Sequence, residues 1–172
     1  MIFKFMKKVI LFLLLAVFSL LGCEKDDICS ASTSTTPRLV IQFYDSTNPS
    51  VLKNVSDLKV IADGMTEAID FNGNGNTVSI PLKTTENSTS YQFILNSTSS
   101  TFKNVDVIRF DYSRENVYVS RACGYKTLFN LDPIIPYTHT DSAQADGFWI
   151  TAITVEKKSI DNENETHVKL YF

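Results

Sequence analysis

The sequence predicts an all-β chain: a single antiparallel β-sandwich, immunoglobulin-like or similar, with about eight or nine short strands. Three observations carry that expectation. Apolar residues come in short runs rich in Val, Ile, Phe and Tyr, and within the runs every second residue is apolar. Clusters of Gly, Pro, Asn, Asp and Ser separate the runs. No segment sustains a 3.6-residue period and no repeat recurs at a fixed interval, which removes helical bundles and solenoids.

The elements follow in order. Residues 38–45 (RLVIQFYD) open the domain, with Leu39, Ile41 and Phe43 on one face at a spacing of two. Asn48, Pro49 and Ser50 make a turn; residues 58–62 (LKVIA) form the next strand, and Asp63-Gly64 turns it. Residues 67–71 and 77–82 flank a loop at 72–76 rich in Asn and Gly, and are expected to pair as a hairpin. Pro81 places the second of them at a sheet edge, because proline donates no ladder hydrogen bond. Residues 91–96 (YQFILN) align Tyr91, Phe93 and Leu95. Residues 106–112 and 117–125 are expected to turn at 113–116, with Gly124 marking a bulge. The stretch 131–147 holds Pro133 and Pro136 and reads as the longest irregular segment. Residues 148–158 and 166–172 close the chain around an acidic turn at 161–164. The last strand alternates, so the chain is expected to end inside the sheet with His167 facing solvent.

Ahead of the domain stands a leader. Lys4, Lys7 and Lys8 are followed by an apolar run of thirteen residues, 9–21, broken only by Ser19. A bilayer crossing needs about 20 residues, so this length suits a signal-peptide core instead. The run closes on Leu20-Leu21-Gly22-Cys23, which resembles the bacterial lipobox. Residues 1–22 are therefore expected to be a lipoprotein signal peptide, 23–37 the lipidated N-terminus and a flexible linker, and 38–172 the sandwich. The leader carries three of the 16 basic residues and none of the 19 acidic ones, so residues 23–172 hold 13 against 19, a formal charge of −6. That balance repels phosphate backbones, and nucleic acid is not an expected partner.

With Cys23 given to lipid, Cys29 and Cys123 remain as an even pair in an oxidising envelope, and a disulfide between them is expected over two unpaired thiols. The fully extended tether from Cys23 to Pro37 spans roughly 45–50 Å; if Cys29 is bonded, only six steps stay free and the reach falls to about 20 Å.

The segments Cys23-Glu24-Lys25-Asp26-Asp27-Ile28-Cys29, 35–45 (TTPRLVIQFYD), 119–126 (VSRACGYK) and 167–172 (HVKLYF), taken together, resemble a family of small lipoproteins from Bacteroidota whose domain has no assigned function. The resemblance implies a lipid-anchored envelope protein and supplies no catalytic residues. Lys25-Asp26-Asp27 directly behind Cys23 also resembles the surface-export signal of that phylum, against the simpler reading of a solvated charge run. The implied location is the outer membrane, lipid-anchored, with the domain on the cell surface if Lys25-Asp26-Asp27 acts as that signal and on the periplasmic side if it does not.

Candidate chemistry is sparse. Asp70 to Gly75 matches the opening of a calcium loop, but Pro81 stands where the bidentate acid belongs, so a hairpin turn is the expectation. No metal site and no cofactor is expected; two histidines and two cysteines at no recognisable spacing do not make a zinc site. His139, Asp141 and Ser142 are neighbours in sequence, which is weak ground for a triad, since triads assemble from separate elements. Tyr118, Tyr125, Tyr137, Phe148 and Trp149 offer a stacking platform for sugar rings, or else ordinary core and edge packing. Tyr137, His139 and Trp149 are the expected ligand rim, beside the longest irregular stretch. The chain is thus expected to be a non-enzymatic envelope module, held to the membrane by its lipid, that binds an envelope protein or a glycan. A small envelope or surface hydrolase, and an accessory factor for surface glycan or envelope assembly, are the alternatives.

Overall fold

A computed structural model describes residues 28–69 and 74–172. The expected signal peptide, Cys23, Lys25, Asp26, Asp27 and residues 70–73 of the Asp70–Gly75 stretch lie outside the described residues. The described residues fall into two compact units, one of 28–33 with 118–125 and one of 34–117 with 126–172. Among them there is no helix.

The larger unit is an all-β sandwich of two packed sheets. Its first sheet is built from β1 (Leu39–Tyr44), β5 (Thr77–Ile80), β10 (Ala152–Val155) and β12 (Val168–Tyr171), in the order β10-β12-β1-β5. The expectation of a purely antiparallel arrangement is corrected here, because β1 and β12 run parallel, with Ile41 beside Val168 and Phe43 beside Leu170. Two strands far apart in sequence need no tight hairpin between them, and either direction is open to them. The pleat sends alternate residues inward, giving one row of Ile153, Leu170 and Phe43 and another of Val155, Val168, Ile41 and Val78. Leu39, Ile41, Phe43, Ile80, Val168 and Leu170 are completely buried. Each such side chain contributes about 1.5–3 kcal/mol through apolar area removed from water.

The second sheet contains β3 (Lys59–Ala62), β6 (Ser88–Leu95), β7 (Asn104–Ser120), β8 (Gly124–Leu131) and β11 (Ser159–Ile160) in the order β11-β8-β7-β6-β3. A further strand, β9 (Tyr137–Asp141), lies along β7 from Asp106 to Phe110, on the edge opposite β6. Its inner rows are Val60, Phe93 and Asp106, then Ala62, Tyr91, Ile108 and His139, then Thr89, Phe110 and Tyr137. A two-residue ribbon joins β2 (Val55–Ser56) to β4 (Asn74–Gly75).

Several expected boundaries change. Among the described residues the eight or nine strands become twelve, because β2, β4 and β11 are only two residues long and β9 falls inside the stretch read as irregular. Among the described residues the hairpin expected between 67–71 and 77–82 is not formed: β5 pairs with β1, and Ala68 bridges to Ile61. β5 is an edge strand as Pro81 required, and it ends at Ile80. Residues 113–116 are not a turn. β7 runs through them with all four side chains exposed, because ladder hydrogen bonds are made by backbone and need no apolar side chain. Residues 34–37, read as flexible linker, lie in the larger unit. There the Thr36 hydroxyl accepts the Thr127 N–H at 3.0 Å, and Pro37 is buried.

His167 is also corrected, from solvent-facing to fully buried. Its Nδ1 accepts the Val40 N–H at 3.0 Å, while its own N–H donates to the Val40 carbonyl at 3.0 Å. The side chain thereby extends the β1–β12 ladder by one bond, which draws it out of alternation. Its Nε2 is buried without a hydrogen-bond partner among the described residues. Burial pushes its pKa below the ordinary 6.5. Below pH 6.5 the unfolded chain then binds more protons than the folded one, so stability falls as pH drops from there through the lowered value. Replacing His167 by glutamine keeps an acceptor for Val40 and removes the proton site. We expect denaturant titrations to show the parent losing up to about 1.4 kcal/mol per pH unit in that window from this group. His167→Gln should be flatter by that amount, and an identical slope for both proteins would refute the assignment.

Candidate functional site

The ligand rim expected at Tyr137, His139 and Trp149 is brought together, but mostly below the surface. Trp149 is 8 % exposed and is a core residue, a correction to its place on a rim. Its ring lies 6.5 Å from Phe43 and 5.5 Å from Phe172 between centroids, and its indole N–H donates to the Phe93 carbonyl at 3.0 Å. A lone Trp following a Pro-rich stretch looks like a rim residue in sequence; its role here is to close the sandwich over Phe43. Tyr137 is half-buried and donates its hydroxyl to the Ile153 carbonyl at 3.0 Å, linking the two sheets.

His139 meets a residue that sequence reasoning missed. Its Nε2 donates to the Asp106 carboxylate at 2.8 Å, and its ring rests 4.6 Å from that of Phe148, which is exposed. Asp106 is completely buried in a row of apolar side chains. The same carboxylate accepts the Ile150 N–H at 2.9 Å and the Trp149 N–H at 3.4 Å. Burial pushes the Asp106 pKa up, against the pull of these three donors. The alternation of β7 carried the signal: Asp106 has the same parity as Ile108, Phe110 and Tyr112, and so had to point inward. Its chemistry is to hold the chain that leaves β9 for the core.

The neighbouring residues do not assemble a triad. Asp141 caps its own loop, accepting the N–H groups of Ser142 at 2.7 Å and Gly147 at 3.0 Å. The Ser142 hydroxyl donates to the Gln144 carbonyl at 2.6 Å, while His139 is committed to Asp106. Nor do the aromatic residues form one platform. Trp149 is internal, Phe148 packs on His139, and Tyr118 packs on Tyr125.

Cys29 and Cys123 are disulfide-bonded, with Cα atoms 4.9 Å apart across 94 residues of sequence. Both belong to the smaller unit. That unit also holds the turn after β7, where the Cys123 N–H donates to the Ser120 hydroxyl at 3.0 Å. Gly124 has φ +69° and begins β8. The left-handed conformation there favours glycine and turns the chain; no bulge is needed. Tyr118 and Tyr125 face each other edge to face at 5.4 Å, 58 % and 70 % exposed, and Ile28 is 81 % exposed.

The larger unit carries an apolar groove of about 370 Å³. Met65, Ala68, Ile69 and Leu82 supply its apolar wall, Tyr91 its floor, and Asp63, Glu67 and Lys83 its charged lip. The floor is fixed by hydrogen bonds. The Tyr91 hydroxyl donates to the Pro81 carbonyl, the Tyr112 hydroxyl donates to the Lys83 carbonyl at 3.0 Å, and Thr89 and Tyr112 share a bond of 2.6 Å. The Lys83 N–H in turn donates to the Thr89 hydroxyl at 3.0 Å. Desolvation raises the pKa of both tyrosines, which keeps the phenols protonated donors. Such a concave apolar surface, with polar groups at its lip and a braced floor, suits an apolar moiety of modest size.

A family model described as a family of unknown function (DUF6452) matches residues 57–172. No curated protein and no solved structure matches the chain.

Proposed function

We infer that this chain, which belongs to the DUF6452 family of unknown function, works as a lipid-anchored envelope module that binds a partner at the outer membrane. The observation that carries the reading is the Cys29–Cys123 bond, six residues beyond a cysteine that closes a signal-peptide-like run. A disulfide belongs to an oxidising compartment, and the leader supplies the route to one. The resemblance to Bacteroidota lipoproteins and the Lys25-Asp26-Asp27 motif support placement at the outer membrane, on its outer face.

The groove beside Tyr91 supports the binding half of the reading, for a protein side chain or the apolar face of a sugar. The histidine on which a hydrolase would depend gives its Nε2 to a buried carboxylate that also holds two backbone N–H groups. That is the pattern of a structural strut.

The test has two arms. In cells, the parent should fractionate with membranes and yield an acylated N-terminal peptide beginning at Cys23, whereas Cys23→Ser should stay unprocessed and unacylated. A Cys23→Ser protein processed and acylated like the parent sinks the anchor. Protease shaving of intact cells should release peptides of the domain if it faces outward. For the groove, a photo-crosslinking residue at Met65 should give a discrete adduct in intact cells; the absence of any adduct there argues against the binding role.

A further inference from the structure

We propose that Tyr118, Tyr125 and Ile28 form a membrane-seating tip, lying in the headgroup–acyl boundary of the phospholipid bilayer that holds the Cys23 acyl chains; the proposal rests on the lipid-anchor reading. Three large side chains with apolar bodies are exposed within one small unit. Ile28 precedes the disulfide-bonded Cys29, and Tyr125 lies two residues beyond Cys123. The two tyrosine rings pack edge to face, so they present a fixed aromatic surface rather than two separate side chains. Tyrosine, with an apolar ring and a polar hydroxyl, is favoured where hydrocarbon gives way to headgroups.

The covalent path fixes the occupant. Six residue steps separate Cys23 from Cys29, a reach of at most about 20 Å. The headgroup region on each side of the hydrocarbon core is itself about 5–7 Å thick. An acyl chain on Cys23 thus keeps the disulfide, and the aromatic pair beside it, permanently within a short distance of the bilayer. At that effective concentration even a weak interfacial preference is realised, because the second contact is intramolecular.

The experiment uses the full lipidated protein, extracted from membranes and reconstituted into phosphatidylcholine vesicles with brominated acyl chains. Tyr118→Trp and Tyr125→Trp each add one emitter, and the parent, whose only tryptophan is the buried Trp149, supplies the background. For a side chain seated about 5–10 Å into the boundary, bromine should remove roughly half or more of the added emission. The same emission should be shielded from aqueous acrylamide. Reduction of Cys29–Cys123 should weaken the quenching, since the tip is then released to the longer tether. Vesicle-bound, acylated protein whose added emission is untouched by bromine and open to acrylamide overturns the proposal and leaves the lipid anchor standing. Emission shielded from acrylamide yet untouched by bromine means that a second copy covers the pair, and also overturns it. A protein that carries no acyl chain and does not float with the vesicles overturns the tip and the anchor together.

Discussion

Asp106→Ala should lower the unfolding free energy by about 3–5 kcal/mol, the range for breaking a buried, hydrogen-bonded pair by removing one partner. The substitution leaves three donors without an acceptor in the core: His139 Nε2–H and the N–H groups of Trp149 and Ile150. Each orphaned buried donor costs about 1–3 kcal/mol, with some relief where water enters beside the half-buried histidine. Asp106→Asn keeps one acceptor oxygen and should cost less than alanine. His139→Ala, which leaves two backbone donors on the carboxylate, should also cost less. Trp149 is the only tryptophan and sits on the same strut, so its fluorescence reports the transition directly. A loss below about 1 kcal/mol for alanine would show that the carboxylate is dispensable.

The pH dependence of this group has the opposite sign to that of His167. The folded pKa of Asp106 is raised, so between the ordinary aspartate value of 3.8 and the raised one the folded chain holds more protons than the unfolded chain. Stability from Asp106 alone is therefore greatest in acid, declines as pH climbs through that window, and is level above it. Glu163, whose carboxylate is held below its ordinary 4.5 by hydrogen bonds from Arg38, contributes in the opposite direction, losing stability as acid protonates it. Asp106→Asn should accordingly steepen the acid-side loss of stability relative to the parent.

Removing the disulfide should have an effect of similar size. Cys29 and Cys123 close a loop of 94 residues, for which the chain-entropy model gives about 4–5 kcal/mol of stabilisation through the unfolded state. Engineered and native bridges often deliver less, so the expected loss for Cys29→Ser/Cys123→Ser is at least about 2 kcal/mol. Denaturant titrations with and without reductant check it. The parent should fall to the level of the double variant under reductant, and the variant should not move. A parent indifferent to reductant, with the bond verified broken by thiol labelling, would refute the assignment.

The strands that bury one face were legible in the sequence because their alternation is a direct print of the pleat. Leu39, Ile41 and Phe43 pointed inward as their spacing required, as did Tyr91 and Phe93. Residues 113–116 were misread because a strand with polar side chains satisfies its backbone just as well as an apolar one, and Ser-Arg-Glu-Asn has the composition of a turn. The parallel pairing of β1 with β12 leaves no local mark at all; it depends on which distant strand arrives beside Leu39–Tyr44. His167 and Asp106 escaped for a common reason. Polar type suggests exposure, whereas both are buried where a backbone N–H needs an acceptor: Val40 for the first, Trp149 and Ile150 for the second. The disulfide was anticipated from cysteine parity alone, while the groove at Tyr91 was invisible, since its wall comes from separate segments that alternation does not connect.

The placement of β12 between β1 and β10 governs when this protein can fold. The β1–β12 ladder joins residues 127 positions apart, from Ile41 to Val168, so one edge of the first strand stays open until almost the whole domain has been synthesised. Contacts of such long range make nucleation slow. A nascent Leu39–Tyr44 segment therefore cannot complete its sheet before β12 arrives. The same open edge is a strand template for another chain for as long as the delay lasts, so refolding yield should fall as protein concentration rises.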